Sequence, residues 1–261
     1  MTAISTKNLN ISYGNLDIVK DLNLEIPKGK ITTIIGANGC GKSTILKTIA
    51  RIITPKSGDI FINKTNIKEQ SSKDLAKTMA VLPQSPQAPK GLTVEELISD
   101  GRFPHQKGFG KMKNEDEDIV TWALEVTGIK EFRDRPREAL SGGQRQRAWI
   151  AMALAQQTEI FVLDEPTTYL DLAHQLEVLN LLEELNKKHG TTIVMVIHEL
   201  NNAARFAHHM IGIKKGKIAC EGTAHEVMTK ENLRELFNID AEIVEDPRSK
   251  KPVCITYDMV G

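Results

Sequence analysis

No stretch of this 261-residue chain stays apolar for long enough to cross a bilayer, so it is not expected to span a membrane by itself. Neither sign of charge is in excess. The 34 Lys and Arg balance 34 Asp and Glu, which removes the field that would draw the chain to nucleic acid or an anionic membrane. Cysteine is scarce. Cys40, Cys220 and Cys254 are scattered with no Cys-x-x-Cys spacing, which argues against a disulfide framework and against a zinc site. The opening residues Met1-Thr2-Ala3-Ile4-Ser5-Thr6-Lys7 hold no apolar signal core. A reducing cytosol is the expected compartment, and any membrane role must come through a partner. Aromatic residues are only 5% of the chain. The basic stretch over 101–113, with Arg102, Lys107, Lys111 and Lys113, therefore reads as a solvated loop and not as a nucleic-acid arm.

What is present is a soluble globular composition, 40% hydrophobic and 26% charged, in a chain long enough for one large domain or two lobes of one. Its centre of organisation is Gly36-Ala37-Asn38-Gly39-Cys40-Gly41-Lys42-Ser43-Thr44, which fits G-x-x-x-x-G-K-[ST]. The β-branched run Ile31-Thr32-Thr33-Ile34-Ile35 before it reads as a buried strand. Ile45, Leu46, Ile49 and Ile52 after it recur at helical spacing. Strand, glycine loop and helix are the context of a phosphate cradle. Glycines let the backbone turn successive N–H groups inward, and the helix N-terminus stands behind the phosphates. Lys42 would reach the terminal phosphates and Ser43 would take a place on Mg²⁺.

Other segments fall around this one. Leu9 and Ile11, then Leu22, Leu24 and Ile26, alternate with polar residues as half-buried strands do. Met79-Ala80-Val81-Leu82 is a short strand ending at Pro83-Gln84. Thr93 is placed to cap a short helix through Ile98, and Asn114 a helix with an acidic first turn. Residues 85–158 thus read as an inserted helical lobe. Leu172, Leu176, Leu179, Leu182 and Leu185 mark an amphipathic helix. The span 191–197 is a fully apolar strand, a hairpin turns at Lys215-Gly216, a charged helix covers 225–237, and a closing strand or hairpin follows.

Two strand ends carry candidate chemistry. Ile160-Phe161-Val162-Leu163 leads into Asp164 and Glu165, and ligands of open α/β sheets bind at strand C-terminal ends. Asp164 can hold Mg²⁺, and Glu165 can orient or deprotonate a water. His198 ends the neighbouring apolar strand and could contact the terminal phosphate. Gln84 offers an amide oxygen to Mg²⁺. Ser141-Gly142-Gly143 opens an Ala-rich helix and forms a second anion site, which belongs to a neighbouring chain's nucleotide. Cys40, inside the glycine loop, reads as a tolerated small residue; the alternative is a thiol that nucleotide protects.

Together these residues resemble the ATP-binding cassette (ABC) ATPases over nearly the whole chain. Leu140-Ser141-Gly142-Gly143-Gln144 followed by Leu163-Asp164-Glu165-Pro166-Thr167 is nearly diagnostic. The resemblance implies an α/β P-loop NTPase with a RecA-like core, an N-terminal antiparallel β-subdomain and the inserted helical lobe. It implies a domain over 1–240 with a short extension over 241–261. It implies that ATP and Mg²⁺ are bound, with Tyr13 stacking on adenine, Gly36 to Thr44 cradling the phosphates, and Ser43, Gln84 and Asp164 serving the metal. Glu165, His198 and Lys42 would carry catalysis. Ser141 to Gln144 would contact ATP held by a second copy, and Thr168-Tyr169-Leu170-Asp171 looks like the loop that crosses that dimer interface.

Gly101-Arg102-Phe103-Pro104-His105, the run from Pro166 through Gln175, and the tail from Asp246-Pro247 to Pro252 are similar to ATPase subunits of bacterial importers. Those importers carry iron–siderophores, haem or cobalamin, and ferric siderophore is the first choice. The implied partners are a second copy, integral-membrane permease subunits and, indirectly, an extracellular or periplasmic substrate-binding protein; nucleic acid is not among them. The implied location is the cytoplasmic face of the membrane, peripherally bound. His198-Glu199 departs from the group, which more often has Asp after the histidine. Other importers of haem, cobalamin or metal ions, a soluble ATPase of this type without a permease, and a binding-only module remain as alternatives.

Overall fold

The computed structural model describes residues 1–106 and 113–260, so Lys107 and Lys111 of the basic stretch lie outside the described residues. The chain divides into two compact units, 1–70 with 186–261, and 71–185. The first unit begins with β1 (Thr2–Tyr13), β2 (Leu16–Leu22), β3 (Glu25–Pro27) and β4 (Ile31–Ile35). It continues with α1 (Lys42–Ile49), β5 (Ser57–Ile62) and β6 (Thr65–Asn66). β2, β3 and β5 all pair antiparallel with β1, which buries Ile4 and Thr6 before the left-handed Asn8 (φ 48°) and, with the alternation shifted by one residue, Leu9 and Ile11 after it.

The sequence pattern joins Leu22, Leu24 and Ile26 in one strand, but the structure breaks it. Asp21 turns left-handed at φ 51°. The buried Thr6 hydroxyl fills the break, donating to the Leu22 carbonyl at 2.9 Å and accepting from the Leu24 N–H at 2.9 Å. α1 buries Ile45, Leu46 and Ile49 as expected, but it stops there and Ile52 is exposed. Arg51, left-handed at φ 57°, turns the chain before the helix can bring Ile52 onto the same face.

The second unit holds α2 (Ser72–Thr78), β7 (Met79–Leu82), α3 (Val94–Asp100), α4 (Asn114–Val126), α5 (Gly142–Ala155) and β8 (Ile160–Asp164). α6 (Leu172–His189) follows, its last residues belonging to the first unit. β7 and β8 run parallel, with Leu82 opposite Leu163. Thr93 caps α3 as expected, and Glu96 reciprocates in a capping box. Asn114 does not cap α4: it is the first helical residue, and Lys113 stands at the cap without a side-chain bond. The acidic residues of that first turn still suit the positive end of the helix. One of them, Asp116, is buried against Arg102, whose guanidinium also donates to the Ala155 carbonyl. Arg102 is therefore not part of a solvated loop as its sequence setting suggests: the pair and the carbonyl hold it inside. In α6 the buried stripe is Val178, Leu179, Leu182 and Leu185, while Leu172 is exposed at the helix start.

Back in the first unit come β9 (Thr192–Val196), α7 (Leu200–Phe206), β10 (His209–Lys214) and β11 (Lys217–Gly222). The chain ends with α8 (Ala224–Val227), α9 (Lys230–Phe237), β12 (Ile239–Glu245) and β13 (Pro252–Met259). β4 lies between β9 and β10 and is parallel to both, so Ile34 faces Val196 on one side and Ile211 on the other. All residues of β4 and β9 are buried, as continuous apolar runs in a parallel sheet require. Lys215 and Gly216, both at positive φ, turn β10 into antiparallel β11. The helix read over 225–237 is two helices. The chain breaks after Val227, and the Thr229 hydroxyl accepts from Asn232 N–H to start α9 afresh. β12 and β13 form the expected closing hairpin.

Candidate nucleotide site

In the first unit the glycine loop leaves the C-terminal end of β4. Gly36 stands at φ 148°, and a methyl group there would lie 2.2 Å from the Ile213 carbonyl oxygen. Only glycine fits. Gly41, at φ 108°, begins α1 with no side-chain cap, and no acidic residue occupies the first turn. The positive end of the helix is therefore not neutralised by a carboxylate of its own. Lys42 is buried, and its ammonium donates to the carbonyls of Gly36 at 2.8 Å and Ala37 at 3.1 Å. Asn38, Gly39 and Cys40 complete the curl, and the Cys40 carbonyl accepts from Gly216 N–H at 2.8 Å. Ile18 and Val19 of β2 lie against Gly41, so the sheet that carries the half-exposed Tyr13 packs on the loop. Ser43 and Thr44 are the first residues after Lys42 in the helix. A glycine cradle, an uncapped helix start and a centred ammonium fit a polyphosphate.

His198 is brought to the same end of the sheet. It follows β9, and Ile197 N–H reaches the Ile34 carbonyl at 3.4 Å, just ahead of the loop. Its imidazole position is exposed.

In the second unit the parallel pair β7 and β8 brings Gln84 and Glu165 together although they are far apart in sequence. Gln84 Nε2 donates to Glu165 Oε2 at 2.6 Å, and the Thr168 hydroxyl donates to the same oxygen at 3.0 Å. Glu165 is left-handed at φ 55°. A carboxylate residue in that region is strained by about 1–3 kcal/mol, and its surroundings must hold it there. Asp164, one residue earlier, is buried as the last residue of β8. The amide oxygen of Gln84, expected to serve Mg²⁺, is not the atom engaged here: it is the amide nitrogen that donates to Glu165. Thr168 was missed as a partner of Glu165, although its place three residues on was a usable signal.

Ser141 caps α5. Its hydroxyl accepts from Gln144 N–H, and Gln144 Oε1 accepts from Ser141 N–H at 3.0 Å. Gly143 is required by a residue of the run from Pro166 through Gln175: a methyl group there would lie 2.4 Å from the His174 ring. Asp171 holds that ring by accepting from His174 N–H at 2.9 Å and meeting Nδ1 at 2.8 Å. The His174 N–H first, then its imidazole, keep the Asp171 carboxyl below its ordinary range. Gly142 and Gly143 are thus part of one local structure with Leu170 and with His174, which Asp171 holds.

The sequence profile described as "ABC transporter" matches residues 19–168. The chain is 64% identical over 260 residues to the iron(3+)-hydroxamate import ATP-binding protein FhuC of Bacillus subtilis (strain 168), covering all of this chain and 97% of that protein. It is 30% identical to a chain of a metal-chelate type ABC transporter solved in an inward-facing conformation, with a TM-score of 0.84 and coverage of 97% and 96%. A bacterial ABC transporter cassette solved as a dimer is also 30% identical, with a TM-score of 0.75, covering 84% of this chain and 98% of that one.

Proposed function

From the premise that this chain belongs to the ABC transporter family, we propose that it is the ATP-hydrolysing subunit of an importer for ferric siderophores of the hydroxamate class. The observation that carries this reading is the 64% identity over the whole chain, which continues past residue 168 where the family profile stops. ATP is the substrate. Gly36 to Thr44 bind its phosphates, Lys42 sits against the terminal ones, and Tyr13 stacks on adenine. Ser43, Gln84 and Asp164 each offer an oxygen of the hard kind Mg²⁺ takes. That ion, when bound, supplies charge neutralisation at the β- and γ-phosphate oxygens.

Glu165 takes the proton of the attacking water. The water oxygen bonds to the γ-phosphorus, the bond to the β-phosphate oxygen breaks, and ADP and phosphate leave. His198 contacts the γ-phosphate and keeps the water and phosphate in line. Ser141, Gly142, Gly143 and Gln144 close on ATP held by a second copy, so two chains form two sites; the dimeric cassette among the similar structures supports this. Closure on ATP and opening after hydrolysis drive the permease. The lobe over 85–158 meets that permease, and the tail over 241–261 extends the domain over 1–240. Among the described residues no helix is long and apolar enough to cross a membrane. The chain works at the cytoplasmic face through its permease partner, with a substrate-binding protein acting from outside.

Affinity capture of this chain from detergent-solubilised membranes tests the partner. The expected result is a multi-span permease in stoichiometric yield. Recovery of an active ATPase with no membrane protein would favour the soluble ATPase instead.

A further inference from the structure

α7 is only seven residues long, and Glu199 at its start provides no side-chain cap. A helix of two turns does not hold itself in water, so its place is set by what grips it. One grip comes from the sheet. The Thr33 hydroxyl donates to the Ala203 carbonyl at 3.3 Å, and Ala203, Ala204 and Phe206 are buried. The others come from the C-terminal hairpin. Asn201 Nδ2 donates to the Cys254 carbonyl at 3.0 Å, and Asn201 Oδ1 accepts from Cys254 N–H at 2.9 Å. The side-chain amide thus pairs with β13 as a neighbouring backbone would. At the other end of α7, the Lys251 ammonium donates to the carbonyl of the C-cap residue Ala207 at 3.1 Å. The hairpin turn adds charge: Asp246, whose carboxyl is held low chiefly by the Ser249 hydroxyl and by the N–H groups of Arg248 and Ser249, also feels Arg205 of α7.

His198 stands between two anchors. On one side Ile197 N–H is tied to Ile34 of β4. On the other, Asn201 is tied to β13. Only His198, Glu199 and Leu200 lie between them, and none is glycine. A tilt of the first turn of α7 therefore moves the histidine.

We infer that the hairpin of β12 and β13 sets the position of α7 through Asn201 and Lys251, which makes Asn201 a positioning residue for ATP hydrolysis that acts through His198. This rests on the role given to His198 above. Asparagine suits the task because one short side chain carries both the donor and the acceptor that Cys254 needs. Aspartate lacks the donor, and alanine has neither.

The test compares the full chain with Asn201→Ala, Lys251→Met and His198→Gln. Turnover and KM for ATP are measured with Mg²⁺, alongside the imidazole Cε1–H NMR signal of His198, assigned by its loss in His198→Gln. Asn201→Ala should lower kcat about tenfold, because small misplacements of a reacting group are costly. KM for ATP should stay within about twofold, since the phosphate loop is untouched. The His198 signal should shift or broaden. Lys251→Met should act in the same direction, and it carries the test if Asn201→Ala fails to fold. Wild-type kcat and an unmoved His198 signal in the folded variants would overturn the inference while leaving the histidine's role intact, provided His198→Gln is inactive. Full activity of His198→Gln would instead remove the catalytic role on which the inference rests.

Discussion

Replacing Glu165 by Gln is expected to cut ATP turnover by about 10²–10⁴-fold, the range in which a positioned general base contributes, while ATP binding persists. The local structure explains why the loss is so selective. Glu165 is held by donors from Gln84 and Thr168 on one carboxylate oxygen and stands in a left-handed backbone conformation. Glutamine has the same length, and its amide oxygen still accepts from Thr168. The backbone position survives and only the capacity to take a proton is lost. The glycine loop, Gly36 to Thr44, proposed to hold the phosphates, belongs to the other unit and is untouched. ATP should therefore accumulate between two chains that cannot cleave it. Size-exclusion chromatography with MgATP should show a stable dimer for Glu165→Gln, and phosphate release should be close to background. A variant that turns over at the wild-type rate would take the proton-acceptor role away from Glu165.

The second large effect is on stability. Arg102→Ala is expected to cost about 3–5 kcal/mol, the penalty for breaking a buried ion pair from one side. Arg102 Nε meets Asp116 Oδ1 at 2.7 Å, with the two side chains 6% and 11% exposed. The same guanidinium donates to the Ala155 carbonyl at 2.7 Å and to Gln157 Oε1 at 3.0 Å. It thus ties the chain after α3 to the first turn of α4 and the end of α5. Alanine would leave the Asp116 carboxylate buried beside a carbonyl that has lost its donor. Replacing both partners, as Arg102→Met with Asp116→Leu, removes the stranded charge and should recover most of the loss. Urea denaturation of the single and double variants separates these outcomes. A loss below about 1 kcal/mol for Arg102→Ala, typical of a surface pair, would contradict the burial described.

The glycine loop was legible because the residues that shape it adjoin one another in sequence. Gly36 must be glycine for want of space, Gly41 for its backbone angle, and the apolar runs of β4 and α1 adjoin them in sequence. The α/β class followed from those runs and from β9. Contacts between distant segments were not legible. The bond from Gln84 to Glu165 exists because β7 pairs with β8, and nothing in either strand's composition specifies its partner. The ring of His174 over Gly143 is of the same kind.

Ends of elements failed for local reasons that periodicity does not see. Thr6 interrupts one strand, Arg51 stops α1 before Ile52, and Thr229 starts a second helix. Cys40 carries both readings, a packed small residue and a thiol beside a cation. It is buried, with Sγ 3.9 Å from the Lys42 ammonium.

The most direct measurement is uptake of radiolabelled iron as a ferric hydroxamate siderophore in cells deleted for this chain. Re-expression of the wild-type chain should restore uptake, and Glu165→Gln, expressed to the same level, should leave it at the level of the deletion. Uptake that is unaffected by the deletion, or is restored equally by Glu165→Gln, would contradict the account of this chain as the ATPase that drives the importer.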